Sequence, residues 1–449
     1  MPLDTKTPGS PGWWLDTLAT RLGKRRNERL EVLKQYIDGD APLPESAEGL
    51  RSAYRAFQKK ARTNFASLVV EAVQERMVPS GFRVGADSEL EEWASLVWSI
   101  NELDAHSADV HADMLSFGDS YVIVGAPDED GIPVITRESP EYVITAQDKL
   151  RPNRVEAALK QFYHEVDGMH YAYLYLPGRV YVAGKRAADG ASDYSGSYGY
   201  EWIRYDKLPF DVVPVVRFSN RGELGEFEIH TDILDRINYM ILQRLVIAAL
   251  QAFRQRAIKG ELPEVDAEGE AIDYSEVFRP GPGALWQLPE DIELWESGET
   301  NLQPLLTAVK DDIRDLAAVT RTPMSMLLPE GANQSAEGAA FAREGLVFKT
   351  RDRIRRATYG WNTVMQLSML FAGRGEQRDI QTLWLPPEML SLSERADATT
   401  KLSNIIPFRT LMTDVMQFPP EKAERLENER LADVLAMSLG QPEADTDGV

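Results

Sequence analysis

The stretch FEIHTDILDRINYMILQRLVIAALQAFRQRAIK, Phe227–Lys259, decides how the rest of the chain is read. It holds no proline or glycine, and its apolar residues form two stripes: Ile229, Ile233, Ile237, Ile241 and Leu245 on one side, Leu234, Leu242, Val246 and Phe253 on another. That spacing predicts a single helix, a rod of about 50 Å at about 1.5 Å per residue. A surface helix has one apolar stripe, so a rod with two needs neighbours on both sides. Those neighbours are either the rest of a large monomer or further copies of the same chain. Acids Glu226, Glu228, Asp232 and Asp235 at its start and bases Arg254, Arg256 and Lys259 at its end complement the helix dipole. The same charges could pair between subunits.

Working outward, residues 261–299 hold twelve acids against one base, Arg279, for a net charge of −11. Inside this insert, Val277–Trp286 reads as a strand, a tight Pro/Gly turn and another strand. Asn301 is placed to cap a helix over about 302–320, which Thr322-Pro323 ends. The short segment Met324–Gln334 then leads to a second long helix from near Ser335 to about Phe371, stopped by Gly373-Arg374-Gly375. Within it, residues 341–358 carry Arg343, Lys349, Arg351, Arg353, Arg355 and Arg356 against Glu344 and Asp352. Lys349, Arg353 and Arg356 share one face and Arg351 and Arg355 another. A solvated face is the plain reading of such a run; the split over two faces is unlike one continuous stripe and leaves ion pairs to acidic neighbours as the alternative. Trp384-Leu-Pro-Pro387 is extended, and residues 389–439 read as three short helices separated near Pro407 and Pro419-Pro420.

Upstream, helices are predicted over 13–37, about 50–76 and about 87–117, with a turn at Pro79-Ser80-Gly81 and a stop at Gly118-Asp119. The texture then changes to short strands near residues 121–125, 133–136, 142–145, 159–165, 171–176, 179–182, 202–205 and 213–218. Asp128-Glu-Asp-Gly131 is a hairpin-type turn, and Gly190–Gly199 a polar loop. Connections this short are too brief for helical crossovers, so the sheet is antiparallel.

Length and composition bound what the chain does. At 449 residues it exceeds one typical core, and 43% hydrophobic content argues against wholesale disorder. The charge-free run Leu245–Phe253 is nine residues, where a membrane span needs about twenty. The N-terminus lacks the layout of a secretory signal. With no cysteine there is no disulfide framework, thiolate site or cysteine nucleophile, which fits a protein made and used inside a cell or in a particle assembled there. A net charge of −22 speaks against gripping a phosphate backbone as the main task.

Signatures of catalysis are missing. There is no GxxxxGK[ST] loop, and Gly196-Ser-Tyr-Gly199 has the wrong spacing for a nucleophile elbow. His106, Asp109 and Asp113 share a helix face and could bind a metal, though capping and solvation explain them more cheaply. Asp128–Gly131 lacks the remaining ligands of a calcium loop. No catalytic residue, metal site or cofactor is assigned.

The order of elements resembles the portal, or head–tail connector, proteins of tailed double-stranded DNA phages, over nearly the whole chain. Asp232–Gln243 is similar to that family's first stem helix and Phe278–Pro289 to its clip. Leu316–Pro323 followed by Asn333–Gly338 is similar to the end of the second stem helix, the tunnel loop and the start of the long wing helix. Asp109–Gly125, with Leu115-Ser-Phe-Gly-Asp-Ser-Tyr121, resembles the N-terminal helix-to-strand junction. The resemblance implies an α+β portal-type architecture. Its parts are a wing of helices and antiparallel sheet (1–225), a first stem helix (226–260), an acidic clip (261–300) and a second stem helix (301–322). A tunnel loop (323–335), a long wing helix with its extended continuation (336–388) and a short helical crown (389–449) complete it.

It further implies a ring of about twelve copies at one capsid vertex, a virion component assembled in the host cytoplasm. Double-stranded DNA passes through it without sequence specificity. The implied partners are the terminase large subunit, the major capsid protein and a head–tail adaptor, with no membrane. Stem packing between subunits falls to Ile233, Ile237, Ile241, Leu242, Leu245 and Val246. Docking at the clip falls to Phe278, Arg279, Trp286, Glu290 and Asp291. The tunnel loop facing DNA comprises Met324, Met326, Leu327, Leu328, Pro329, Glu330, Asn333 and Gln334; methionine and leucine suit a deformable, unspecific contact. A plain helix–helix connector is the competing reading of that loop. The clip acids either line the channel as a non-stick collar or face outward toward a basic partner. Another oligomeric capsid or tail-ring component, or a cytosolic enzyme with an unrecognised carboxylate site, are the alternative functions.

Overall fold

A computed structural model describes residues 3–42, 52–186, 196–252, 256–260, 264–265, 269, 293–296, 298, 301–328, 336–388, 392–416, 418 and 420–439. The chain mixes helices with antiparallel sheets and divides into two compact units. The first comprises residues 1–42, 64–234 and 315–449; the second comprises 43–63 and 235–314.

In the first unit, α1 (Pro11–Arg25) runs through a π-type turn (Arg26–Leu30) into α2 (Glu31–Ile37). Ser10 caps α1, accepting from the Trp13 amide, with proline at the first helical turn where its missing N–H costs nothing. The 13–37 prediction thus holds. The predicted helix over 50–76 is two helices, α3 (Ser52–Ala61, in the second unit) and α4 (Phe65–Gln74). Asn64 makes the break: its side chain accepts from the Ser67 amide to start α4 and donates to the Ile37 carbonyl. Pro79-Ser80-Gly81 is also corrected. It opens strand β1 (Pro79–Val84), because Ile380–Trp384, far along the chain, supplies a strand partner with a bulge between Pro79 and Gly81.

Helices α5 (Ser88–Ile100) and α6 (Leu103–Phe117) lead to a sheet of β2 (Asp119–Pro127), β3 (Pro133–Glu138) and β9 (Val215–Ser219), in the order β3-β2-β9. The Asp128 carboxylate accepts from the amides of Asp130 and Ile132, with Gly131 at φ 78°, so the predicted hairpin turn stands. Five further strands form an antiparallel meander: β4 (Val143–Gln147), β5 (Val155–His164), β6 (Met169–Leu176), β7 (Arg179–Arg186) and β8 (Glu201–Lys207). Alternation on β6 puts His170, Ala172 and Leu174 on the buried face. There Leu15, Leu18 and Leu22 of α1 close a core with Ile144, Leu159, Ala172 and Leu174.

The leading rod is only partly as predicted. A short turn, Glu228–His230, precedes α7 (Thr231–Ala252), and Arg256–Lys259 is a strand, β10. It pairs antiparallel with β11 (Glu293–Glu296), Arg256 opposite Glu296 and Lys259 opposite Glu293. The sequence carries no breaker before Lys259. The returning segment nevertheless offers a ladder of main-chain bonds that extending the helix would forgo. Arg256 and Lys259 therefore do not complement a helix C-terminus.

Helix α8 (Gln303–Thr320) starts as predicted, the Asn301 side chain accepting from the Gln303 amide. A single turn, α9 (Met324–Leu327), precedes α10 (Ala336–Phe371), whose 36 residues span about 54 Å. Helix α10 packs on β2 and β9, with Trp361 fully buried among Trp98, His111 and Phe218. The extended segment is β12 (Ile380–Trp384). The C-terminal region has three helical pieces: α11 (Leu392–Leu402), α12 (Phe408–Thr410) continuing through a π-type turn (Leu411–Val415), and α13 (Pro420–Leu439). In the second unit, buried Asn238 of α7 accepts from both the amide and the hydroxyl of Thr63, and Arg236 pairs with Asp312 of α8 at 2.8 Å.

Candidate functional site

Both long helices of the insert arm are rooted in the first unit, α7 by its first turn and α8 by its last. The roots meet α10 at a buried ion-pair cluster that sequence reading did not assemble. Glu226, just before α7, is buried with Arg353 and Lys349 of α10. Arg353 donates Nε to Glu226 Oε1 at 2.6 Å and a second guanidinium nitrogen to Oε2 at 3.3 Å. Lys349 Nζ lies 3.5 Å from Oε2 and donates to the Thr320 carbonyl, at the end of α8, at 2.7 Å. One lysine therefore ties the last turn of α8 to the acid that precedes α7. Burial alone would push the Glu226 carboxyl up, but Lys349 and Arg353 hold it below its ordinary range. Burial depresses the Lys349 ammonium, with Glu226 opposing.

The segment between β9 and α7 is fixed at several further points. Asn220 donates its amide N–H to Gly118 O, and Glu226 its own to Leu115 O. Arg29 grips both Glu228 carboxylate oxygens at 2.6 Å. Nearby, buried Asp119 receives Arg25, Arg217 and the Tyr121 hydroxyl. Two more of the predicted bases of α10 find partners within the chain: Arg351 with Glu388, and Arg356 with Asp352. The expected ion pairs exist, but for Lys349, Arg351, Arg353 and Arg356 they are intramolecular. Spacing showed that Lys349 and Arg353 share a face; it could not show that Glu226, more than a hundred residues away, lies opposite.

Around the cluster opens a cleft of about 540 Å³ whose lining includes Asn220, Arg221, Ile229, His230, Val319, Arg321 and Phe348. The predicted stem positions divide. Ile237, Ile241 and Leu242 are buried within the chain, whereas Ile233, Leu245 and Val246 are half-buried. Of the predicted tunnel-loop residues, Met324, Met326 and Leu328 are half-buried and Leu327 is buried on α9; Pro329, Glu330, Asn333 and Gln334 lie outside the described residues. So do all five clip residues, Phe278, Arg279, Trp286, Glu290 and Asp291.

The histidine–aspartate face on α6 has another occupant. Arg137 binds Asp109 at 3.2 Å and Asp113 at 3.0 Å, while His106 stands 3.9 Å from Asp109. His111, on a different face, accepts from Trp361 Nε1 at 2.9 Å, and burial lowers it to about 3, keeping it neutral. Among the described residues no group of three or more histidines and acids is arranged to hold a metal ion. Burial raises Asp113 from 3.8 to about 6, Arg137 opposing. Because the folded value exceeds the unfolded one, the fold favours the protonated acid, and stability falls as pH rises from about 4 to about 6. Asp113→Asn is expected to remove that fall. It should gain on the order of 2 kcal/mol over the unsubstituted chain at pH 7.5, with the difference vanishing below pH 4. Denaturant melts across pH 4–8 measure this, and a difference independent of pH would refute it.

The family model described as phage portal protein, SPP1 Gp6-like, matches residues 22–433. The chain belongs to this portal family. It is 26% identical over 394 residues to the portal protein of Mycobacterium phage L5, covering 81% of this chain and 76% of that one. It is 25% identical over 408 residues to the portal protein of Mycobacterium phage D29, covering 84% and 79%. Among solved structures, a chain in the neck of an empty GTA particle is similar at 11% identity and a TM-score of 0.45, over 81% of this chain and 91% of its own. The portal family is structural rather than enzymatic. Among the described residues no helix is long and apolar enough to cross a membrane.

Proposed function

We propose that the chain forms a closed ring of about twelve copies at one capsid vertex and serves as the channel for genome packaging and ejection, with no catalysis of its own. The observation that carries this is the family match over residues 22–433. The Glu226–Lys349 pair joins the start of α7 to the end of α8, and within the second unit β10 pairs antiparallel with β11, which supports this reading. In this reading residues 1–225 and 336–388 are the wing, α7 and α8 the stem, 261–300 the clip, 323–335 the tunnel loop and 389–449 the crown. The terminase large subunit and later a head–tail adaptor dock on the clip, and the major capsid protein surrounds the wing. Double-stranded DNA slides past an acidic wall that repels phosphate and gives no sequence-specific hold.

Half-buried Ile233, Leu245 and Val246 on α7 are the stem positions with surface left for a neighbouring copy. Negative-stain imaging of the purified full chain is expected to show rings of about twelve copies with a central channel. A chain that stays monomeric at high concentration would overturn the reading.

A further inference from the structure

The cleft beside Glu226 presents three features that its own chain leaves unanswered. The first is Asn220. Its side-chain Nδ2 donates to the Leu224 carbonyl at 2.8 Å and to Glu226 Oε1 at 3.1 Å. Turning the amide over would aim an oxygen at two acceptors, so its orientation is fixed. Oδ1 is thereby left buried with no hydrogen-bond partner, on a residue only 2% exposed. A buried acceptor in that state is answered by an ordered water or by a donor entering the cleft.

Charge is the second feature. Arg221, Arg321, Lys349 and Arg353 line the cleft against two acids, Glu226 and Asp352, a surplus of two positive charges. Burial lowers His230, which adds no charge at neutral pH. Lys349 and Arg353 already serve Glu226, whereas Arg221 and Arg321 have no ion-pair partner among the described residues. Arg321 also adopts φ 54°, a left-handed conformation that a glycine would adopt at less cost.

Third, the rim is apolar and open: Ile229 is 69% exposed, Val319 47% and Phe348 54%. They come from the turn before α7, from α8 and from α10. Large exposed apolar residues gathered around one cleft mark a protein contact.

We propose that this cleft is the socket for an acidic segment of the adjacent copy, an inference that rests on the ring proposed above. Apolar side chains of the neighbour cover Ile229, Val319 and Phe348, a carboxylate meets Arg221 and Arg321, and a donor reaches Asn220 Oδ1. Charge complementarity selects the occupant. The cleft is a positive island on a chain of net charge −22 with 71 acids, so another copy is an abundant source of carboxylate. DNA phosphate would satisfy the arginines but leave the apolar rim uncovered.

The test uses the purified full chain. Phe348→Asp and Arg221→Glu/Arg321→Glu change exposed side chains, so thermal melting should stay close to that of the unsubstituted protein. The concentration for half-assembly, read by sedimentation velocity, is expected to rise about tenfold or more. A photo-crosslinking p-benzoylphenylalanine in place of Phe348 should give covalent dimers of the chain. Rings that assemble as in the unsubstituted protein, with or without altered DNA binding, would overturn the socket and leave the ring standing. If the unsubstituted chain forms no rings, the portal reading fails and the socket with it.

Discussion

Glu226→Gln is expected to destabilise the first unit by about 3–5 kcal/mol, the effect of leaving buried charge without its counter-ion. Glutamine keeps the shape of glutamate, so packing is not the cause of the loss. Lys349 and Arg353 remain buried, and Asp352, 2.6 Å from Arg353, can compensate only one of them. Hydrogen exchange along α10 and denaturant melting measure the loss; a change under about 1 kcal/mol would show that the carboxylate is not what balances the two cations. Replacing the whole triad, Glu226→Leu with Lys349→Met and Arg353→Met, should restore most of the stability, since no charge is then left unpaired.

The pH dependence has a definite sign. Glu226 sits below its ordinary value of 4.5, so its contribution is complete above that pH and is lost as pH falls through the lower folded value. The glutamine variant should show no such acid-side loss.

Gly118→Ala is expected to cost a further 3–5 kcal/mol, or about that, for a different reason. Gly118 ends α6 at φ 86°, and a Cβ there would lie 2.2 Å from the Glu223 carbonyl oxygen and 2.8 Å from the Leu224 nitrogen. Those are main-chain atoms of the segment that carries Asn220 and Glu226, so no side-chain rotation relieves the clash. The Asn220 amide also bonds the Gly118 carbonyl, which fixes the two backbones together. Ala at 118 must therefore displace the Glu226 loop or unwind the end of α6. Loss of protection at both α6 and the β9–α7 segment is the expected pattern; melting unchanged within about 1 kcal/mol would refute it.

What the sequence disclosed follows from what is local. The bounds of α10, the Asn301 cap, the stop at Gly118 and the alternating β2 to β9 strands all rest on neighbours within a few residues. The errors arise where a distant segment competes. Arg256–Lys259 continues a helical pattern yet pairs with Glu293–Glu296, and Pro79-Ser80-Gly81 reads as a turn yet joins Ile380–Trp384. The Asn64 break was legible as a capping residue before an apolar run and was missed. The Glu226 cluster was half legible: the shared face of Lys349 and Arg353 is periodicity, while their acid is set by tertiary folding.

The β10–β11 ladder also bears on how such chains diversify. Arg256–Lys259 and Glu293–Glu296 lie side by side, so the polypeptide departs and comes back through one narrow doorway. Lengthening or exchanging what lies beyond that doorway costs little, because the entropy of a loop rises only with the logarithm of its length. If the proposed ring stands, residues 260–292 can change in length or composition while the paired strands that bracket them are kept.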